Sequence, residues 1–385
     1  MGRTRLLQIT HDLHVGGLPR VVDTLCRTID RSRFDVEVLC LRDVGPLGEA
    51  LRSDLGIAVH RLREDGDVPD RLAFMKIARF LRGRHFDVLH THNTEPFVEG
   101  SLGGLLARVR TLVHTDHARP FPERWFARRF DRNKRRYLFA EWLASHFAWK
   151  VVGVSDHTTE ALQRYGKIAS SKVETIVNGI EGDRYDLPID RAEARRELGI
   201  PADAPVLGFA SRLVEQKGLV YLFEALPAVR AAHPGVILLV AGEGNLRASL
   251  EAQARELGLT DAIRFLGVRL DVASLLKVFD LHVLPSLWEG LPMIVLESMA
   301  SGCATVATAV GGVPTAITDG RTGRLVPPKD PDALARTIIE LLDDDVQRRA
   351  LGEAARRHFQ KRFTAEIMAR QYEALYLRQP LPTHG

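Results

Sequence analysis

Two glutamates, Glu289 and Glu297, interrupt the passage Leu281–Gly302, LHVLPSLWEGLPMIVLESMASG, which is otherwise almost entirely apolar. Its pattern reads as a buried strand, a Gly-Pro loop and a helix. Pro292 suits the first helical turn, where its missing N–H is no loss, and Gly302 suits the residue after the helix end. The free N–H groups and positive dipole end of that first turn form a site for a phosphate. Glu289 precedes the helix, and Glu297, two turns inside it, leans back toward the same place because helical side chains tilt toward the N-terminus. Two carboxylates would repel the phosphate itself, so their partners must be hydroxyls, such as those of a sugar and a ribose. An isolated pair of glutamates would more simply be solvated. The apolar surroundings weigh against that here, since a carboxylate is rarely buried without a partner.

A second constellation lies in Ser211–Gly218, SRLVEQKG, which follows the apolar run Val206 to Ala210. Arg212 and Lys217 thereby fall at the C-terminal end of a strand, just before a helix, where two cations can neutralise a diphosphate. A charged, solvated turn is the simpler alternative for this segment taken alone. Near the N-terminus, Gly16 and Gly17 follow the first apolar run and precede a helix, where missing side chains allow a phosphate or an acceptor close to the backbone. A purely structural turn would use them equally well. In LVHTDHARPF, His114 and His117 lie near the end of another strand.

The elements that must position these residues follow from periodicity. Short β-branched and apolar runs alternate with longer segments of helical period, the pattern of βαβ units and a parallel sheet. Expected strands are Leu6 to Thr10, Asp35 to Leu41, Asp87 to Thr91, Thr111 to Thr115 and Val151 to Val154. A second series comprises Val206 to Ala210, Val236 to Ala241, Ile263 to Gly267, Leu281 to Pro285, Ala304 to Thr308 and Gly323 to Val326. The fold class is thus α/β, with two doubly wound parallel-sheet domains, one over 1–177 and the other over 205–362. Residues 178–204, rich in Asp, Gly, Pro and Arg, read as a linker, and 363–385 as a helix returning to the first domain. Such sheets bind ligands outside the carboxyl ends of their strands, which places the expected site in the cleft between the domains.

Composition agrees with this size. At 385 residues the chain exceeds what one core usually organises, and 45% hydrophobic with 26% charged residues is an ordinary globular mix. Cys26, Cys40 and Cys303 lie scattered in apolar runs, as reduced buried thiols do. The first apolar run breaks at Thr10-His11-Asp12, too early for an export signal, and no stretch reaches the roughly 18 uncharged apolar residues of a spanning helix. The expected location is therefore cytoplasmic, with any membrane contact peripheral and on the inner face. A net charge of +4 is too small to argue for nucleic acid, and none is expected as a partner.

With these residues in place, the chain resembles the large family of retaining glycosyltransferases with the GT-B fold, whose mark is two glutamates separated by seven residues, as Glu289 and Glu297 are. SRLVEQKG at 211–218, VAGEG at 240–244, IRFLGV at 263–268, GGVP at 311–314, VSDHTTEAL at 154–162 and VNGI at 177–180 carry the likeness further. It covers nearly the whole chain and is strongest from Val151 to Pro327; Ser211 departs from the pattern, standing where a glycine is common. The resemblance implies that Glu289 holds donor-sugar hydroxyls and Glu297 the ribose, while Arg212 and Lys217 bind the diphosphate and stabilise the leaving group. It adds Gly290, Leu291 and the backbone N–H groups of Met293 and Ile294 to the donor site, and sets Val268 near the base. Gly16 and Gly17 match the family's first glycine loop. His117, rather than His114, best matches the histidine beside the reacting sugar.

No cluster with metal-ligand spacing and no Asp-x-Asp pair lies near the expected donor site. Arg212, Lys217 and a helix dipole would then do what a metal does elsewhere, and no cofactor is expected. The reaction expected is transfer of a sugar, with retention, from a UDP- or GDP-sugar to a sugar or lipid-linked acceptor in cell-surface polysaccharide or glycolipid synthesis. A soluble small-molecule acceptor and a non-catalytic nucleotide-sugar sensor are the alternatives. A dinucleotide-dependent oxidoreductase does not fit, since GEGNLR at 242–247 has Arg247 where that fingerprint needs a small residue. Finally, Arg119 to Lys150 interleaves Arg124, Arg128, Arg129, Arg132, Lys134, Arg135 and Arg136 with Phe121, Trp125, Phe126 and Phe130. Basic residues among aromatics suit an anionic membrane surface, although a solvated helix with an apolar core stripe would read the same way.

Overall fold

The alternating apolar runs become the strands of two parallel sheets in the computed structural model, which describes residues 2–14, 16–62, 72–117, 132–186 and 188–382. Two units result, Met1–Gly179 with Ala365–Gly385, and Ile180–Thr364. In the first, β1 (Thr4–Asp12), β2 (Phe34–Asp43), β3 (Ala58–Arg61), β4 (Val88–His92), β5 (Thr111–Asp116), β6 (Lys150–Gly153) and β7 (Val173–Thr175) lie in the order β3-β2-β1-β4-β5-β6-β7. In the second, β8 (Val206–Ala210), β9 (Ile237–Ala241), β10 (Ile263–Gly267), β11 (Leu281–Leu284), β12 (Thr305–Thr308) and β13 (Arg324–Val326) lie in the order β10-β9-β8-β11-β12-β13. Every strand pairing is parallel. The strand order of each sheet reverses at its first strand, which opens a crevice beyond the carboxyl ends of β1 and β4, and another beyond those of β8 and β11.

Helices cover both faces of such sheets, so the central strands are buried throughout and read as nearly continuous apolar runs. Leu7, Ile9, Leu39, Leu89 and Phe97 centre the first core, and Leu207, Phe209, Leu239, Val283 and Leu284 the second. β3 and β7, which the apolar runs do not announce, are the two edge strands of the first sheet, only 4 and 3 residues long. Their residues, AVHR and VET, hold too few apolar side chains to stand out as a strand run.

Residues 180–204 are folded onto the second unit instead of spanning free between two units. The charges that suggested a linker are what attach it. From the helix Arg191–Glu197, Arg191 Nη2 reaches Asp280 Oδ1 at 2.6 Å and Arg195 Nη2 reaches Asp280 Oδ2 at 2.7 Å. The same carboxylate accepts from the Val206 backbone N–H at 2.7 Å, at the start of β8. The helix Ala365–Tyr376 belongs to the first unit, with Tyr372 and Tyr376 buried there. All three cysteines are free and buried, and burial pushes the Cys40 thiol up to about 12 and that of Cys303 to about 11. Among the described residues no helix is long and apolar enough to cross a membrane.

Candidate functional site

In the second unit, Pro285 and Ser286 follow the end of β11, and the loop to the helix Met293–Ser301 carries Glu289. Pro292 is the residue that caps this helix, not a member of its first turn. Its carbonyl already accepts from Val295 N–H at 3.1 Å, which leaves the N–H groups of Met293 and Ile294 outside the helical ladder. The turn after β8 brings Lys217 across to the same loop: Lys217 Nζ donates to Glu289 Oε1 at 2.5 Å, with 10% and 5% of the two side chains exposed. Ser286 Oγ donates to the same oxygen at 2.7 Å, and Gln216 Nε2 to Oε2 at 3.4 Å and to the Trp288 carbonyl at 2.9 Å. The carboxylate is therefore held by three side chains in a desolvated place, where an unpaired charge would not survive.

Two glycines allow this closeness. Gly218, directly after Lys217, has φ +60, and a Cβ on it would lie 2.1 Å from the Pro285 carbonyl oxygen. Gly311, in the GGVP run, has φ +53, and its Cβ would lie 1.9 Å from the Glu289 carbonyl oxygen. A left-handed backbone and contact at that range admit no side chain.

Gly290, Leu291, Ile294 and Glu297 are buried around this point and Met293 is half-buried. Glu297 is 5% exposed although it lies in the helix interior, so it is not a solvated helix residue. Arg212 is exposed and makes no ion pair with the described residues. Val268, one residue past β10, is 67% exposed. Periodicity gave no hint of Ser286 and Gln216. The available signal was a serine at the end of a fully buried strand, which needs a partner.

In the first unit, Gly16 precedes the helix Gly17–Thr28, beyond the carboxyl end of β1. A Cβ on Gly16 would meet nothing nearer than Pro19 Cδ at 3.6 Å, so packing does not demand a glycine there. His117 directly follows β5 and His114 lies within it. The pleat separates them from each other. His114 stacks on Phe97, with centroids 3.8 Å apart and planes at 7°, and its Nδ1 sits 3.0 Å from the Thr91 carbonyl. His117 lies on the opposite side of the sheet, 8% exposed, with Nε2 3.0 Å from His92 Nδ1 and Nδ1 buried without a hydrogen-bond partner among the described residues. Burial lowers its pKa to about 4, against the opposing pull of the Asp116 charge. His92, which the motif reading passed over, comes from β4 and continues to Gln8 on β1. Its signal was the alternation His-Thr-His at 90–92 inside a buried strand.

Of the basic and aromatic segment, Phe121, Arg124, Trp125, Phe126, Arg128, Arg129 and Phe130 lie outside the described residues, as do the side chains of Arg132, Lys134 and Arg135. The helix Arg132–Phe147 turns Glu141, Ala144 and Ser145 inward, and exposes Arg136, Phe139, Trp142, Leu143 and Phe147. Phe139 is 61% exposed and its ring centroid lies 5.6 Å from that of Trp142. Among the described residues no group of three or more His, Cys, Asp or Glu is arranged to hold a metal ion.

Comparison with known proteins bears on both units. Residues 190–358 match the family described as glycosyl transferases group 1, and residues 15–184 match glycosyltransferase family 4. A D-inositol 3-phosphate glycosyltransferase of Corynebacterium aurimucosum is 30% identical over 305 residues, 76% of this chain and 71% of that protein. The UDP-Gal:alpha-D-GlcNAc-diphosphoundecaprenol alpha-1,3-galactosyltransferase of Escherichia coli is 24% identical over 86% of each chain. Among solved structures, Anabaena Alr3699/HepE in complex with UDP and glucose superposes with a TM-score of 0.85 at 24% identity, over 98% of this chain and 100% of that one.

Proposed function

The chain belongs to the glycosyl transferases group 1 family and has the GT-B fold, and from that premise we propose that it transfers a sugar with retention, without a metal ion, from a UDP-sugar to a lipid-linked acceptor. It is a glycosyltransferase using a nucleotide-sugar donor; the mechanism, the base and the acceptor are our reading. The observation that carries it is the buried contact of Lys217 Nζ with Glu289 Oε1 at 2.5 Å. It joins two motifs, one supplying a cation for a leaving diphosphate and the other a carboxylate for sugar hydroxyls. Arg212, exposed nearby in sequence, supplies the second cation, and the N–H groups of Met293 and Ile294 complete the anion site. Gly290 and Leu291 shape that cradle, Glu297 takes the ribose, and Val268 lies beside the base. In the first unit His117 meets the donor sugar, and Gly16 and Gly17 let the acceptor approach the backbone.

Charge stabilisation preorganised in this way acts on the departing diphosphate, where one donor is worth roughly 3 kcal/mol. As the bond from the anomeric carbon to the diphosphate breaks, the acceptor hydroxyl bonds to that carbon from the same face and gives its proton to the departing phosphate, so neither a protein nucleophile nor a protein base is required. The lipid-linked acceptor is supported by the exposed aromatic face of the helix Arg132–Phe147 and by the diphosphoundecaprenol acceptor named for the Escherichia coli relative. That face suits a peripheral position on an anionic membrane. A second reading, a soluble phosphorylated acceptor, rests on the D-inositol 3-phosphate glycosyltransferases among the relatives.

The test supplies UDP-glucose, UDP-galactose, UDP-GlcNAc or GDP-mannose with a polyprenyl-diphosphate sugar or with inositol 3-phosphate, in the presence of EDTA. An α-linked product on the polyprenyl acceptor is expected. An inverted anomer, or a strict need for a divalent ion, overturns the mechanism, and product only on inositol 3-phosphate selects the second reading.

A further inference from the structure

Behind His117 runs an unbroken chain of buried polar groups that crosses three strands and ends in the C-terminal helix. His117 Nε2 lies 3.0 Å from His92 Nδ1, and His92 Nε2 lies 2.8 Å from Gln8 Oε1. Gln8 Nε2 donates to the Tyr376 hydroxyl at 3.2 Å, which lies 2.7 Å from His90 Nδ1. His90 Nε2 is 2.7 Å from Thr115 Oγ1, and Thr115 Oγ1 is 2.9 Å from the Tyr372 hydroxyl. Gln8, His90, His92 and Thr115 are each no more than 1% exposed. Parallel register explains the alignment, since Gln8 pairs with His90 and His92 with Thr115, so all four share one face of the sheet.

The chemistry of the groups fixes where each proton sits. Burial holds the rings of His90 and His92 far below the usual histidine pKa, and that of His117 at about 4, so each is neutral, with one N–H and one bare nitrogen. An amide oxygen only accepts, so His92 Nε2 must carry the proton that faces Gln8. His92 Nδ1 is then bare and accepts from His117 Nε2–H. His117 Nδ1 is left as a lone pair, and it is buried with no hydrogen-bond partner among the described residues. At the other end, Gln8 donates to the Tyr376 hydroxyl, which with His90 Nδ1 continues the relay. Reversing the proton on His117 requires every group from Gln8 to Tyr372 to turn together.

We propose that Gln8, His92 and Tyr376 are positioning residues that set the tautomer of His117 so that its Nδ1 is presented as a hydrogen-bond acceptor. Resting on the reading that His117 meets the donor sugar, this makes the ring the acceptor for a sugar hydroxyl and not its donor. The orphaned nitrogen supports a ligand there, since a buried polar atom left unpaired is destabilising until something bonds it. The sequence separation also gives the C-terminal helix a part in the site: Tyr376 lies 368 residues from Gln8.

The test reads the protons directly, through ¹H–¹⁵N correlation of the histidine rings in the full-length ¹⁵N-labelled chain, with the His117 signals assigned by their loss in His117→Asn. In the wild type, Nε2–H is expected to dominate by roughly tenfold, the ratio conferred by one hydrogen bond of ordinary net strength. His92→Phe removes the acceptor and Tyr376→Phe releases the Gln8 amide, and in both the ratio should fall toward parity. A UDP-induced rise in melting temperature serves as the check that each variant is folded. With UDP-glucose as donor, His92→Phe should lower kcat about tenfold while leaving the Kd for UDP unchanged, because UDP lacks the transferred glucose that His117 meets. A wild-type His117 protonated on Nδ1, or a ratio that neither variant moves, overturns the proposal, and the wild-type spectrum decides this even if a variant misfolds. A shifted tautomer with unchanged turnover supports the chain and instead sinks the placing of His117 at the donor sugar.

Discussion

At the scale of single residues, Glu289 is bound from three directions before any donor arrives, by Lys217, Ser286 and Gln216. Glu289→Gln keeps an oxygen for Lys217 and Ser286 but loses the charge of a buried ion pair. We expect it to fold with a stability loss of about 1 to 3 kcal/mol, to keep UDP binding, and to lose turnover by about a hundredfold or more. Urea titration, UDP titration and a turnover assay check the three parts, and near-normal turnover would remove Glu289 from the site. His117 gives a second prediction through pH. Its folded pKa is depressed by burial from 6.5 to about 4, so between those values the unfolded chain binds the proton and the folded chain does not. The stability this contributes is present above about pH 6.5 and is lost as pH falls toward 4, on the order of 3 kcal/mol from this ring. Buried His282, lowered to about 3, acts in the same direction. Urea midpoints measured from pH 7.5 to 4 should fall steadily below pH 6.5, and a flat profile over that range refutes the argument.

Among the elements, the segment 180–204 shows how a polar, turn-rich stretch becomes part of a domain. Its helix Arg191–Glu197 is attached through Asp280, the residue just before β11, which also accepts from the first residue of β8. Asp280→Ala leaves Arg195, with 10% of its side chain exposed, facing no carboxylate. A loss of about 3 kcal/mol is expected, the lower range for removing one partner of a buried pair, whereas Asp280→Asn keeps an acceptor for Val206 N–H and should lose less. Equal urea midpoints for wild type and Asp280→Ala would show that the segment is held by something else. The helix Met293–Ser301 makes the opposite point. Its presence and its end at Gly302 were legible from residue types alone, because caps and periodicity are local, whereas its start lies one residue later than the proline suggested. β3 and β7 were not, because their residues, AVHR and VET, hold too few apolar side chains to set a period.

For the whole molecule, the outward aromatic face of the helix Arg132–Phe147 bears on where the enzyme works. Apolar rings turned to solvent on the helix that also exposes Arg136 match an interfacial helix, a cation adding about 1 kcal/mol at an anionic surface. We expect the protein to co-sediment with phosphatidylglycerol vesicles at low salt and not with phosphatidylcholine, and moderate salt to release most of it by screening. Replacing Phe139, Trp142, Leu143 and Phe147 together by Ser should abolish this and leave UDP affinity intact. Indifference of the wild type to both vesicles would move the acceptor to the soluble class. The sequence by itself determined two series of βαβ units and, near their strand ends, the glutamates at 289 and 297, the cations at 212 and 217, and two histidines, 114 and 117, between which it did not choose. Each of these is written in local periodicity or in residue type at a strand end. Only the tertiary structure decided that Lys217 grips a carboxylate 72 residues away, that His114 turns into the core while His117 joins His92, and that two C-terminal tyrosines close a chain begun at Gln8. Those contacts depend on which strands lie side by side and in what register, and a side-chain hydrogen bond forms or fails within a few tenths of an ångström, a distance that no period along the chain encodes.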